Sequence, residues 1–131
     1  MKRRAYLAFS YICIMLLSSL SIADEAMKQQ LIGTWSGSAT NARGDIAKTT
    51  FELKSDDSFN GLVEMNQKPM MSYSGKWGTE GNKLVWSYLQ SSMPLPESAK
   101  TDEDKIASVD ATSLVLISEM SGQKRSFTRE K

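Results

Sequence analysis

Histidine is absent from this sequence of 131 residues, and its single cysteine, Cys13, lies in an apolar stretch near the N-terminus. Without imidazole, no side chain changes charge near neutral pH unless its surroundings force it to, so the usual general base is missing. Zinc loses its two favoured ligands. Carboxylates cluster at Asp56-Asp57 and at Asp102-Glu103-Asp104. Both clusters fall in polar, turn-like segments and read as solvated loop charge, because a catalytic carboxylate needs burial to shift its pKa. No Gly-rich phosphate loop is present. The remaining donors are thioethers, with Met70, Met71 and Met93 close to one another in the expected fold. Thioethers select Cu(I), although methionine is equally a filler of core gaps. The chemistry therefore points to binding rather than catalysis, with no enzyme activity, cofactor or resident metal expected.

The N-terminus reads as an export signal. Lys2, Arg3 and Arg4 form a basic region, Ala5 to Leu20 is an uncharged run of 16 residues, and Ser21-Ile22-Ala23 supplies small residues at the −3 and −1 positions. That is the order of parts in a signal peptide, and the run is short of the roughly 20 residues a membrane span needs. The expected division is a signal peptide over 1–23 and one domain over 24–131. Cleavage leaves 108 residues with no cysteine and a slight acidic excess. Disulfides are then excluded, as is the basic surface that nucleic acid requires. A periplasmic or secreted location follows, with no stable membrane anchor after cleavage.

The elements that must position any site are short strands. After a polar helix-like stretch at Asp24–Gln30, eight runs rich in aromatic and β-branched residues alternate with turn clusters. They are Leu31–Thr40, Ala47–Lys54, Phe59–Asn66, Met71–Trp77, Lys83–Gln90, Lys105–Val109, Ser113–Glu119 and Lys124–Arg129. Turns recurring every 8–12 residues or so suggest an antiparallel sandwich or barrel. Alternation gives each strand a dry and a wet face: Gly33, Trp35, Gly37 and Ala39 against Thr34, Ser36, Ser38 and Thr40, or Tyr73, Gly75 and Trp77 against Ser72, Ser74 and Lys76. Lys83–Gln90 and Ser113–Ile117 are apolar on both faces, so their outer sides await cover from the N-terminal helix or a partner.

Leu31-Ile32-Gly33-Thr34-Trp35 resembles the opening strand of the small bacterial lipocalin-like (calycin) barrels. The Phe51 to Phe59 segment, Ser74 to Trp77 followed by Glu80-Gly81-Asn82-Lys83-Leu84, and the Phe127-Thr128-Arg129 ending extend the similarity along the domain. The resemblance implies an eight-stranded up-and-down barrel with a short N-terminal helix across one end and a ligand cavity open at the other. It also implies an arginine of the last strand packed over the Gly-x-Trp tryptophan. Strand parity independently places Trp35 and Arg129 inward at the same end, and a guanidinium on an indole gains about 0.5–2 kcal/mol. The pair reads as barrel closure. The connections at 41–46, 67–70, 91–104 and 121–123 fall at the open end, so the longest of them is a rim loop.

The leading expectation is a small apolar molecule held in the lumen by Phe51, Met65, Tyr73, Trp86 and Tyr88, with Met71, Met93 and Leu95 at the mouth. Small barrels are also often filled by their own side chains. The alternatives are a cell-envelope protein-binding module with a filled barrel, such as an inhibitor or assembly factor, and a methionine-based Cu(I) carrier.

Overall fold

Antiparallel neighbours joined by tight turns, each with one apolar face, can bury that face completely by wrapping into a cylinder. The computed structural model describes residues 25–131, so the expected signal peptide lies outside the described residues. A short helix, α1 (25–31), precedes eight strands. These are β1 (Gly33–Thr40), β2 (Ile46–Leu53), β3 (Ser58–Met65), β4 (Lys68–Glu80), β5 (Lys83–Ser91), β6 (Thr101–Val109), β7 (Ser113–Ser118) and β8 (Lys124–Arg129). Each pairs with its sequence neighbour, and β8 returns to β1 through Trp35–Arg129 and Ser36–Thr128, closing an up-and-down barrel.

The predicted dry faces point inward. Trp35, Phe51, Leu53, Phe59, Trp77, Leu84, Trp86, Leu114, Leu116 and Phe127 are all buried and form one core with Leu31 of α1. The helix lies at the end where β1 begins, with Met27 packed against this core. Lys28 of α1 sits 5.5 Å from the Trp77 ring centroid and is ion-paired with Asp57 in the β2–β3 turn. The helix therefore caps this end of the barrel rather than covering the outer sides of β5 and β7.

Those outer sides are less apolar than the sequence implies. Between Val85 on β5 and Ile117 on β7 runs β6, which presents Glu103 opposite Val85 and Lys105 opposite Ile117. Lys83 is ion-paired with both Glu103 and Glu119 at 3.6 and 3.7 Å. Leu89 is the extra residue of a bulge, since Ser74 pairs with Gln90 and Gly75 with Tyr88. An extra residue in one strand leaves the regular alternation, and Leu89 is exposed.

One boundary moves in a way that matters. Strand β6 begins at Thr101 rather than Lys105, so the long connection covers 92–100 and Asp102-Glu103-Asp104 belongs to a strand. The expectation of a solvated loop cluster is overturned for Asp104, which is 1% exposed. Its polar sequence hid the period-two alternation, which runs Asp102, Asp104, Ile106 inward.

Candidate functional site

Above the buried floor, the lumen opens into a cavity of about 240 Å³. Its walls are aromatic: Phe51 from β2, Tyr73 from β4, Trp86 and Tyr88 from β5, and Phe127 from β8. These rings and Phe59 meet edge to face, with Phe59–Trp86 at 4.9 Å, Phe51–Phe127 at 5.0 Å, Phe51–Trp86 at 5.3 Å and Tyr73–Tyr88 at 5.5 Å between centroids. Such pairs contribute about 0.5–1.5 kcal/mol each beyond their burial, so the walls are held stiffly. Gly61 on β3 makes room for one of them. It pairs with Tyr73, and a Cβ at this position would collide with the phenol ring.

The β5–β6 connection forms the roof. After Pro94 and Pro96, a single 3-10 turn at Glu97–Ala99 folds back toward the mouth, and Leu95 and Ala99 line the cavity. Lys100 closes this turn by donating to the Glu97 carboxylate at 2.7 Å.

The sequence-predicted residues divide clearly. Phe51, Tyr73, Trp86, Tyr88, Met71 and Leu95 all line the cavity. Met65 does not: it stands at the open end of β3, paired with Ala47 and Lys68. Met93 lines a neighbouring groove with Tyr88, Leu89, Pro94, Leu95 and Lys100 instead. Met70 is the extra residue of a β3–β4 bulge and is exposed. The methionines proposed for Cu(I) thus occupy separate surroundings, Met71 in the lumen, Met93 in the groove and Met70 in solvent.

Sequence reasoning missed the polar half of the lumen. Thr49, Asp102, Asp104 and Arg125 line the same cavity. Asp104 Oδ2 accepts a 2.8 Å hydrogen bond from the Trp86 indole N–H. Its Oδ1 is buried without any partner, alone in this among the described residues. Burial raises the Asp104 carboxyl pKa above its ordinary value, a shift opposed by the Trp86 hydrogen bond and by Arg125 and reinforced by Asp102 and Glu119. Burial likewise raises both phenols, Tyr88 more than Tyr73. Arg125 lies on the exposed side of the mouth, its guanidinium 5.7 Å from the Phe127 ring centroid. The inward parity of Arg125 with Phe127 was available in the sequence.

At the opposite end the barrel is sealed. Arg129 lies 4.2 Å from the centre of the Trp35 ring and donates to the carbonyls of Ala111, Ile32 and Gln30 at 2.8, 2.7 and 2.6 Å. Trp35 is fully buried and donates to the Leu31 carbonyl at 2.9 Å. Gly33 is required here, with a φ of +139° and no space for a Cβ beside Arg129 Nη1.

No family model matches the sequence, and no curated protein matches it. Among solved structures, the chain is similar to a lipocalin-like protein from Bacteroides uniformis. The TM-score is 0.54 at 18% identity, over 77% of this chain and 99% of that one. The closed eight-stranded meander, the capped end with its Trp35–Arg129 seal and this structural likeness agree: the chain has the fold of a lipocalin-like β-barrel.

Proposed function

We propose that this chain is an exported binding protein that holds a small molecule in its lumen. The observation that carries the reading is the 240 Å³ cavity, walled by five aromatic rings and roofed by Leu95 and Ala99. A floor sealed by its own side chains and a stiff aromatic wall leave a preformed site at one end, the usual form of a small-molecule pocket. The cavity is smaller than the roughly 300–1,000 Å³ of drug-sized sites, so the ligand is compact. Export rests on the basic, apolar and small-residue order of residues 1–23. The mass of the protein recovered from the envelope or medium checks it, the expected N-terminal residue being Asp24.

The test is capture of a neutral apolar fluorophore, N-phenyl-1-naphthylamine, at micromolar concentration. Trp86→Ala releases the probe, and so does Tyr88→Ala, which leaves the Asp104–Trp86 hydrogen bond in place. Absence of capture by the folded wild-type domain counts against the reading.

A second reading, contact with an envelope protein, draws support from the rim. The exposed large apolar side chains Ile46, Met70, Leu89, Met93 and Met120 all belong to the open end. Apolar side chains gathered at one end of a monomer mark a contact surface. Cross-linking from position 89 or 93 in intact cells distinguishes it, a discrete adduct favouring a partner at the mouth.

A further inference from the structure

We infer that the lumen recognises a compact organic cation, an aromatic or alicyclic ammonium whose N–H groups are received by Asp104 at the base of the cavity. The inference rests on the lumen being the binding site and names the class of ligand it takes.

The first observation is the unpartnered oxygen. A buried polar atom left without a hydrogen bond forfeits its hydration with nothing in return. Asp104 is 1% exposed, its Oδ2 is held by Trp86, and its Oδ1 has no partner within the protein. Asp104 is itself part of the cavity lining, so the vacant acceptor belongs to the wall a ligand would meet. An ionised carboxylate accepts hydrogen bonds and donates none, so the complementary group is a donor.

The second observation is the charge balance. Asp102, two residues earlier on the same inward face, also lines the cavity, and its Oδ1 accepts only the N–H of the next residue, Glu103, at 2.9 Å. Against these two carboxylates stands one cation, Arg125, at the exposed side of the mouth. Among the described residues Arg125 forms no ion pair. With both carboxylates ionised, the lining carries an excess of negative charge that a monocation would neutralise.

The third observation is the wall itself. Trp86, Tyr73, Tyr88, Phe51 and Phe127 surround the cavity. Aromatic faces attract organic cations and accept their apolar bodies equally well. An anion would meet two carboxylates in a confined space, and a purely apolar ligand would leave Asp104 Oδ1 buried against hydrocarbon.

The experiment compares three indoles of nearly equal size by calorimetry on the folded domain: tryptamine (cationic), tryptophol (neutral) and indole-3-acetate (anionic). Tryptamine is expected to bind about tenfold more tightly than tryptophol or better, the scale of a charge-assisted hydrogen bond, and indole-3-acetate more weakly than both. Asp104→Asn, which keeps an acceptor for Trp86, brings tryptamine to within about twofold of tryptophol measured on the same variant. Asp102→Asn gives an intermediate loss and serves as the second variant should Asp104→Asn fold poorly. Tryptophol binding as well as or better than tryptamine overturns the cation inference and leaves the lumenal site standing. Failure of all three indoles together with failure to capture N-phenyl-1-naphthylamine overturns the site as well.

Discussion

Arg129 stacks on Trp35 with its guanidinium carbon 4.2 Å from the ring centre, and the same guanidinium donates to three backbone carbonyls from three different segments. The residue thus joins the last strand to the β6–β7 turn, to the end of α1 and to the segment leading into β1. Arg129→Ala is expected to destabilise the domain by about 2–4 kcal/mol, counting the cation–π contact and non-additive charged hydrogen bonds. Arg129→Lys should recover less than half of that, because an ammonium cannot reproduce the planar fork. Urea denaturation of the two variants measures both.

Asp104 should lower the stability of the empty barrel at neutral pH. Its pKa is raised, chiefly by burial, so the folded state holds this proton more tightly than the unfolded chain does. The stabilisation this gives is complete below the ordinary value of 3.8 and is lost as pH rises through the raised one. Asp104→Asn removes that loss. The variant is expected to melt a few degrees higher than wild type at pH 7, corresponding to on the order of 1 kcal/mol. The gap should close on acidification to well below the ordinary value of 3.8, where wild type carries a neutral carboxyl too. Thermal melts of both proteins across that range read the difference directly, with the exposed carboxylates of Asp45, Asp56 and Asp110 common to both.

The two lumenal phenols offer a spectroscopic check on the cavity. In a chain beginning at Asp24, Tyr73 and Tyr88 are the tyrosines that remain. Burial raises both above the ordinary value of 10.0. At that pH the folded domain should show well under half of the tyrosinate absorbance that the urea-unfolded chain shows. A full folded-state signal would mean that both rings are in water.

Gly61→Ala should disturb the site more than its size suggests. The added methyl meets the Tyr73 ring, which packs against Tyr88 at 5.5 Å. Overpacking of this kind costs typically about 1–3 kcal/mol. The expected outcome is a lower melting temperature together with weaker capture of N-phenyl-1-naphthylamine, whereas Gly81→Ala, whose Cβ would meet open space in a turn with φ +62°, should affect stability alone.

Period-two patterning made most of the barrel legible. Trp35, Phe51, Tyr73 and Phe127 each sit among small or polar alternates, and all four reach the interior. The Trp35–Arg129 relationship could be placed from strand count and parity alone, since eight antiparallel strands return the last residue of β8 to the start of β1. The polar floor was illegible for a physical reason. Thr101-Asp102-Glu103-Asp104 lacks apolar residues, and a strand is ordinarily recognised by them. Its pairing is dictated by β5, where Leu84, Val85, Trp86 and Ser87 face Asp104, Glu103, Asp102 and Thr101. Met65 falls outside the cavity because parity fixes the side a residue faces but not its depth along the barrel, and Met93 stands at the mouth in a groove beside it. The lumen ends short of Met65, and the loop turns Leu95 rather than Met93 over the cavity.

The seam between β1 and β8 has two residue pairs, both beside the sealed end, whereas every other pair of neighbouring strands has at least five. The cylinder behaves as a sleeve whose zip is fastened only at the cuff. Opening along this line breaks the fewest ladder pairs, with Arg129 holding the sealed end. The β1 and β8 amides along this seam should exchange with solvent ahead of those on the far wall.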